Sequence, residues 1–256
     1  MGEMLREKYV RQPTPFCAGC GHGIFMNAFL HAADEMGLDF RGTVFVSGIG
    51  CGAWVPSPHF RADTLHVTHG RAIAFATGVK LARPELNVVV ISGDGDIATI
   101  GGNHLIHAAR RNVPIKVFCL NNLVYGMTGG QVSATTPQGD ITSTTPQGNP
   151  ERAFDLVALA RGAGAPYVAR FPVVRARKLT KGIINALRFD QFAFMDVLSL
   201  CPTQYGRANR AKLGFEGPSL IWGMLEWQKE VCVNREKAGP EEMNGKILIG
   251  EWYAES

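Results

Sequence analysis

The chain alternates short apolar runs, each halted by glycine, asparagine or aspartate, with longer segments of helical spacing. Residues 88–91 are β-branched and stop at Gly93-Asp94-Gly95-Asp96; residues 115–120 form a second run that stops at Asn121-Asn122. One helix-sized segment lies between them. Two such runs read as a βαβ unit, whose parallel strands and right-handed crossover bring both carboxyl ends to the same edge. The same pattern predicts strands over Thr43–Ser47, 64–67, 167–171 and 192–200, and helices over 24–36, 72–81, 149–162 and 179–187. The expected class is α/β, a parallel sheet flanked by helices.

Between these elements the pattern fades. Residues 1–16 are polar with prolines at 13 and 15 and read as an extended lead-in, residues 53–61 as a proline-broken loop, and residues 133–150, with the near repeat TTPQGD and TTPQGN, as a loop or lid that buries little. Beyond 205 only amphipathic fragments around Trp222 and Trp227 remain. The expected division is therefore a binding domain over 1–205 and, over 206–256, a C-terminal arm that packs on a partner.

Composition narrows the class without naming a chemistry. At 256 residues and 46% hydrophobic the chain can build a substantial core. A formal charge of +4 from 26 basic and 22 acidic residues is too small and scattered to argue for nucleic acid. The start, MGEMLREKYV, lacks a signal peptide's apolar core, and no run reaches the roughly 18 apolar residues of a membrane span, so a cytoplasmic location is expected. Six cysteines in such a chain point to metal, redox or core roles rather than a disulfide scaffold.

The candidate chemistry sits where the runs stop. Asp94 and Asn122 should be neighbours, and an anionic oxygen beside an amide oxygen, among glycines that let phosphate approach backbone N–H groups, suits a hard divalent cation that also holds phosphate. Cys17, Cys20, Cys51 and Cys201 each lie in a glycine-rich or proline-bounded turn; four thiolates suit a [4Fe-4S] cluster or a structural zinc, and the residues alone leave the two level. Cys119 alternates within a buried strand as a core thiol, and Cys232 has no assigned role. Gly48-Ile49-Gly50-Cys51-Gly52-Ala53 fits a dinucleotide fingerprint, but proline-rich sequence replaces the helix such a fingerprint opens. His69 and Arg71 bracket a glycine at a helix start, a place that favours an anion.

Gly-Asp-Gly, then 25 residues, then Asn-Asn resembles the thiamin diphosphate motif. The resemblance implies magnesium held by Asp94, Asn122 and the Val124 carbonyl, with Tyr125-Gly126-Met127-Thr128-Gly129-Gly130-Gln131 folded round an anion. The ordered set CAGCGH, GIGC, HGRA, GDGD, NN, YGMTGGQ and CPT, covering about residues 13–205, resembles the β subunits of 2-oxoacid:ferredoxin oxidoreductases. That family implies a thiamin diphosphate-binding fold and a [4Fe-4S] cluster on Cys17, Cys20, Cys51 and Cys201. It also implies cofactor contacts at Gly50, His69, Gly93, Asp94, Gly95, Asp96, Asn122, Met127 and Thr128, with His69 and Arg71 as catalytic candidates and His22 beside the cluster or diphosphate. The implied reaction is coenzyme A-dependent oxidative decarboxylation of a 2-oxoacid. Electrons pass to ferredoxin, and an α subunit supplies the carboxylate that activates the cofactor. The stretch WVPSPHF looks like 2-oxoglutarate-specific members, where His59 or Arg61 would meet a second carboxylate. Rival readings are a non-oxidative thiamin decarboxylase or carboligase half with zinc, and an electron-transfer or assembly subunit whose motif is vestigial.

Overall fold

Apolar runs of this kind become central strands because a strand covered on both faces has no polar side to show water. In chain order the elements are α1 (Gly2–Tyr9), α2 (Gly21–Met36), β1 (Thr43–Ser47), β2 (Asp63–His66), α3 (Ala72–Ala82), β3 (Asn87–Gly93), α4 (Gly102–Arg110), β4 (Lys116–Asn121), β5 (Val124–Tyr125), β6 (Gln131–Val132), α5 (Leu156–Gly162), β7 (Tyr167–Pro172), α6 (Ala176–Arg188), β8 (Ala193–Leu198), α7 (Arg210–Leu213), α8 (Leu220–Val231), β9 (Cys232–Asn234), α9 (Pro240–Met243) and β10 (Ile247–Tyr253). The computed structural model describes residues 2–214, 219–243 and 245–254.

One sheet takes the order β2-β1-β3-β4-β8-β7-β10-β9, and β5 and β6 form a separate hairpin. From β2 across to β7 every pairing is parallel; β10 runs antiparallel to β7, and β9 parallel to β10. The expected α/β class holds. Alternate residues of each central strand feed opposite cores: Val89 and Ile91 join Phe25, Phe29 and Phe118 on one face, while Val88 and Val90 join Ile73, Leu105 and Val117 on the other. The chain leaves β1 for β2 on one side while β3 lies on the other. Loops after β1 and β3 therefore diverge, which opens a crevice at the carboxyl edge where ligands bind in such sheets.

The first core centres on Phe29, whose ring centroid lies 5.7 Å from Phe118, 5.8 Å from Phe45 and Phe60, and 5.9 Å from Phe25. It is fully buried. Phe29→Ala should lower unfolding free energy by about 3–5 kcal/mol, the usual cost of emptying an aromatic site that cannot collapse. Denaturant titration of the assembled protein should show an earlier midpoint with an unchanged slope.

Three expectations change. Residues 1–16 begin with α1, because Leu5 and Tyr9, four apart, reach the core and Tyr9 Oη donates to Asp34 Oδ1 at 3.1 Å. A two-residue stripe among Arg6, Glu7 and Lys8 is too narrow to show as a period. The helix expected over 149–162 starts only at Leu156: Asp155 caps it, accepting from Val157 N at 3.0 Å and Ala158 N at 3.3 Å, while Asn149 is committed to a turn through its 2.8 Å bond to the Thr136 carbonyl. The loop over 133–150 buries Ser133, Thr135, Thr136, Asp140 and Thr142. Polar side chains enter there because they find partners, Tyr205 Oη donating to Asp140 Oδ2 at 2.6 Å among them. The stretch after 205 supplies β10, paired from Gly250 opposite Arg170 to Tyr253 opposite Tyr167, and so completes the sheet. No helix among the described residues is long and apolar enough to cross a membrane.

Candidate active site

β3 and β4 end in register, Gly93 opposite Leu120, so Asp94 and Asn122 emerge side by side. Asp94 is 1% exposed. Its Oδ2 accepts from Ser133 Oγ and, at 2.6 Å, from Thr135 Oγ1; its Oδ1 accepts from Asn122 N at 3.3 Å. One end of the Asn122 side-chain amide lies 2.6 Å from the Val124 carbonyl oxygen and 3.2 Å from Asp94 Oδ1. Oδ1 is placed at that end, where it also accepts from Val124 N at 3.3 Å. In this orientation three oxygens converge with no proton between them, an arrangement that asks for a hard cation; with the amide turned over, Nδ2 donates to both neighbours instead. Burial pushes the Asp94 carboxyl up, against the downward pull of the two hydroxyls and the Asn122 N–H. A cation at the three oxygens would offset that cost of burying charge.

Ser133 and Thr135 hold this carboxylate from a stretch that reads in the sequence as a polar loop. Their only signal is a pair of hydroxyls two residues apart, which is common in loops. Removing both with Ser133→Ala/Thr135→Val should weaken divalent-cation binding at the three oxygens by roughly 10–100-fold, the range for groups that orient a metal's ligands. Calorimetric titration of the assembled protein would measure it.

Asp96 faces another way. Its Oδ1 accepts from His69 Nδ1 at 2.7 Å, Gly70 N at 2.6 Å and Ile49 N at 3.3 Å, which ties the loops after β1 and β2 to the end of β3. Only glycine fits at 48, where a Cβ would stand 2.1 Å from that same oxygen. His69 is thereby fixed through Nδ1, edge-on to the Tyr125 ring at 5.8 Å, and Tyr125 Oη donates to the Gly95 carbonyl at 3.2 Å. Arg71 is exposed at the start of α3, its guanidinium donating to the Gly70 carbonyl at 3.2 Å. Gly50 turns the chain with φ of 112° just before Cys51. Wide i→i+5 turns follow Asp94 and Cys201 directly, at Gly95–Ile100 and Pro202–Gly206; such turns recur at functional sites.

The four expected cysteines come into one neighbourhood beside this edge. A Cβ on Gly126 would be 3.3 Å from Asn122 Nδ2, 3.5 Å from Cys201 Sγ and 3.7 Å from Cys51 Sγ, so two thiols and the cation residue flank one backbone point. Burial, reinforced by the charges of Cys201, Cys51 and Cys17, pushes Cys20 up to about 12; burial and the charges of Cys201 and Cys17 push Cys51 up to about 11. Burial likewise pushes Cys201 up. Thiolates that sense one another's charge repel, and a metal centre is what makes such a set stable as anions. Among the described residues no three His, Cys, Asp or Glu side chains are drawn tightly together as a closed donor set. His22, beside Cys20, is fully buried with Nδ1 2.8 Å from Ser199 Oγ, its Nε2 has no hydrogen-bond partner, and burial pushes its pKa down to about 4.

Residues 48–197 match the family of thiamine pyrophosphate enzymes at their C-terminal TPP-binding domain. Over 251 residues the chain is 49% identical to 2-oxoglutarate synthase subunit KorB of Methanothermobacter marburgensis, covering 96% of this chain and 85% of that one. It belongs to the β subunits of the 2-oxoacid:ferredoxin oxidoreductases. The subunit of the same name from Methanocaldococcus jannaschii is 47% identical over 96% of this chain and 90% of its own. A solved 2-oxoglutarate:ferredoxin oxidoreductase from Magnetococcus marinus, with 2-oxoglutarate, coenzyme A and succinyl-CoA bound, superposes with a TM-score of 0.85 at 31% identity, covering 98% of this chain and 85% of that chain. Membership makes the chain a subunit of a thiamin diphosphate enzyme.

Met127 is 48% exposed and Thr128 is exposed, with Thr128 Oγ1 donating to Gln131 Oε1 at 2.7 Å and Gln131 Nε2 donating to the Thr128 carbonyl at 2.8 Å, so that loop closes on itself. His59 and Arg61 turn to the N-terminal segment: His59 is 1% exposed with Nδ1 3.4 Å from the Gln12 carbonyl, and Arg61 Nε donates to the Val10 carbonyl at 3.1 Å.

Proposed function

We propose that this chain is the thiamin diphosphate- and cluster-bearing β subunit of a 2-oxoglutarate:ferredoxin oxidoreductase, working with an α subunit to convert 2-oxoglutarate and coenzyme A to succinyl-CoA and carbon dioxide while electrons leave to ferredoxin. The observation that carries the reading is the convergence of Asp94 Oδ1, the Asn122 amide and the Val124 carbonyl next to Cys51 and Cys201. Asp94, Asn122 and Val124 would hold magnesium, and Cys17, Cys20, Cys51 and Cys201 a [4Fe-4S] cluster. Bound thiamin diphosphate supplies the electron-accepting ring on which a 2-oxoacid loses carbon dioxide.

The chain's own residues then have distinct tasks. The first-turn N–H groups of α3 and the Arg71 guanidinium favour a diphosphate anion. Asp96 holds His69 by Nδ1, which leaves Nε2 as the nitrogen free to meet a ligand or carry a proton. Asp94 is engaged through both oxygens and Asp96 through Oδ1, which holds the loops after β1 and β2; the carboxylate that meets the far end of the cofactor is assigned to another chain. That task falls to the α subunit, and residues 206–256, with Trp222 67% exposed, belong to the proposed contact with partner chains.

The test is reduction of an artificial viologen acceptor by the co-purified α and β subunits, with pyruvate, 2-oxoglutarate and a branched 2-oxoacid compared. Coenzyme A-dependent activity is expected, highest with 2-oxoglutarate, and none from the β chain alone. Preference for pyruvate would overturn the substrate assignment, and activity independent of coenzyme A would overturn the reaction.

A further inference from the structure

Among the described residues, those other than glycine with positive φ are Asn112, at 50°, and Leu123, at 70°. Asparagine visits that region with the help of its short polar side chain; leucine has no such help, and its Cβ crowds the carbonyl that follows. Leu123 stands between Asn122 and Val124, and a strained backbone held between two site residues points to a task. β4 ends at Asn121 and β5, outside the main sheet, begins at Val124, so the chain turns away from the sheet within two residues. A turn that tight is where one residue at positive φ is used. A chain extended through Leu123 would carry the Val124 carbonyl onward by about 3.3 Å per residue. Instead that oxygen lies 2.6 Å from one end of the Asn122 side-chain amide.

The surroundings fix the Leu123 backbone from both sides. Its N–H donates to Asn121 Oδ1 at 3.3 Å; Asn121 Nδ2 donates to Asp196 Oδ1 at 3.2 Å, and Arg170 Nε holds Asp196 Oδ2 at 2.7 Å. The buried Arg170–Asp196 pair thereby reaches the turn through one asparagine. On the other side Thr136 Oγ1 donates to the Leu123 carbonyl at 2.5 Å and accepts from Ser133 N at 2.9 Å, so the stretch that holds Asp94 also grips this turn. The leucine side chain is half-buried and packs on the first core, which offsets the strain of its backbone.

We infer that Leu123 is a positioning residue whose left-handed backbone, held by Asn121 and Thr136, aims the Asn122 side-chain oxygen and the Val124 carbonyl at one divalent cation. The inference rests on the cation site of the proposed function. The strain is set when the chain folds, so an arriving ion meets oxygens already in place and the turn has nothing left to reorganise. The leucine side chain serves to keep that backbone in place and touches no ligand.

The experiment titrates Mn2+, a paramagnetic stand-in for magnesium, into the chelator-treated co-purified complex with excess thiamin diphosphate, and counts free Mn2+ by its EPR signal. Leu123→Gly should bind within about twofold of wild type, because glycine occupies positive and negative φ about equally and apparent affinity scales with the competent fraction. Leu123→Ala has neither glycine's freedom nor leucine's packing and should bind about fivefold more weakly. Leu123→Val, branched at Cβ, should bind more than about tenfold more weakly. A packing role alone predicts the reverse order, with glycine weakest because it removes the most side chain. Should the valine variant not assemble, glycine against alanine decides the matter. Equal affinity in all the variants, or glycine binding no better than alanine, would overturn the inference and leave the cation site standing. Failure of the wild-type complex to bind Mn2+ with the diphosphate would overturn the cation site, and the role of Leu123 with it.

Discussion

Asp94→Asn should lower magnesium-dependent thiamin diphosphate binding by more than about a hundredfold, near 2.7 kcal/mol, while the protein stays folded. The substitution keeps size and shape but removes the one formal charge among the three converging oxygens. Asn122 and Val124 offer only neutral carbonyls, which by themselves bind a hydrated magnesium ion poorly. The fold should tolerate the change because Asp94 is buried and burial already disfavours its ionised form. An asparagine oxygen can still accept from Ser133 and Thr135, which now hold Asp94 Oδ2. Thermal unfolding of the cofactor-free complex should therefore be near wild type or slightly raised, and the cofactor-induced rise in unfolding temperature should disappear. Asp94→Glu separates charge from geometry: it keeps the carboxylate but displaces it, so only partial rescue is expected. Undiminished cofactor binding by Asp94→Asn would remove the cation from these oxygens.

The halves of this site differ in how far the sequence exposes them. The βαβ unit was legible because both its strands are buried on two faces, so their apolar runs are continuous and their ends are marked by Gly93-Asp94-Gly95 and Asn121-Asn122. Parallel pairing then puts the two ends together with no further information. Ser133 and Thr135 were not legible as partners of Asp94, since a hydroxyl's value depends on what faces it, and that facing is set by the turn around Thr136 and Asn149. β10 does not show in the sequence for a different reason. Only Ile249 and Trp252, three apart, are buried in it, which does not follow a strand's two-residue period, and Gly250 interrupts the run at the point where it pairs with Arg170. The role of Asp96 lies between these cases: its position beside Asp94 is plain, but its engagement of Ile49 follows from β1 lying beside β3, and that of His69 and Gly70 from β2 lying on the far side of β1.

Cys51→Ser should separate the two cofactors. Cys51 starts the tight turn Cys51–Trp54 after β1, and Cys201 starts the wide turn after β8, so the proposed cluster is bridged from strands that are not neighbours. Serine keeps the turn's shape, including the Ala53 N–H bond to the Gly50 carbonyl at 3.1 Å, but offers a hydroxyl that stays protonated where a thiolate is needed. Iron and acid-labile sulfide should fall to roughly a tenth of wild type or less, and the EPR signal after dithionite should vanish. Diphosphate binding should persist, because Asp94, Asn122 and Val124 are placed by β3, β4 and the β5 strand rather than by the turn at 51. The control is Cys119→Ser: Cys119 is a fully buried thiol in β4 whose neighbours across the sheet are Ser92 and Asp196, and its loss should perturb stability without lowering iron content. Zinc in place of iron in the wild-type complex would assign the same four thiols to a structural metal and leave the route for electrons without its first carrier. A Cys51→Ser complex that keeps normal iron and a normal signal would mean that Cys51 is not a ligand. Its closeness to Gly126 and Cys201 would then be packing alone.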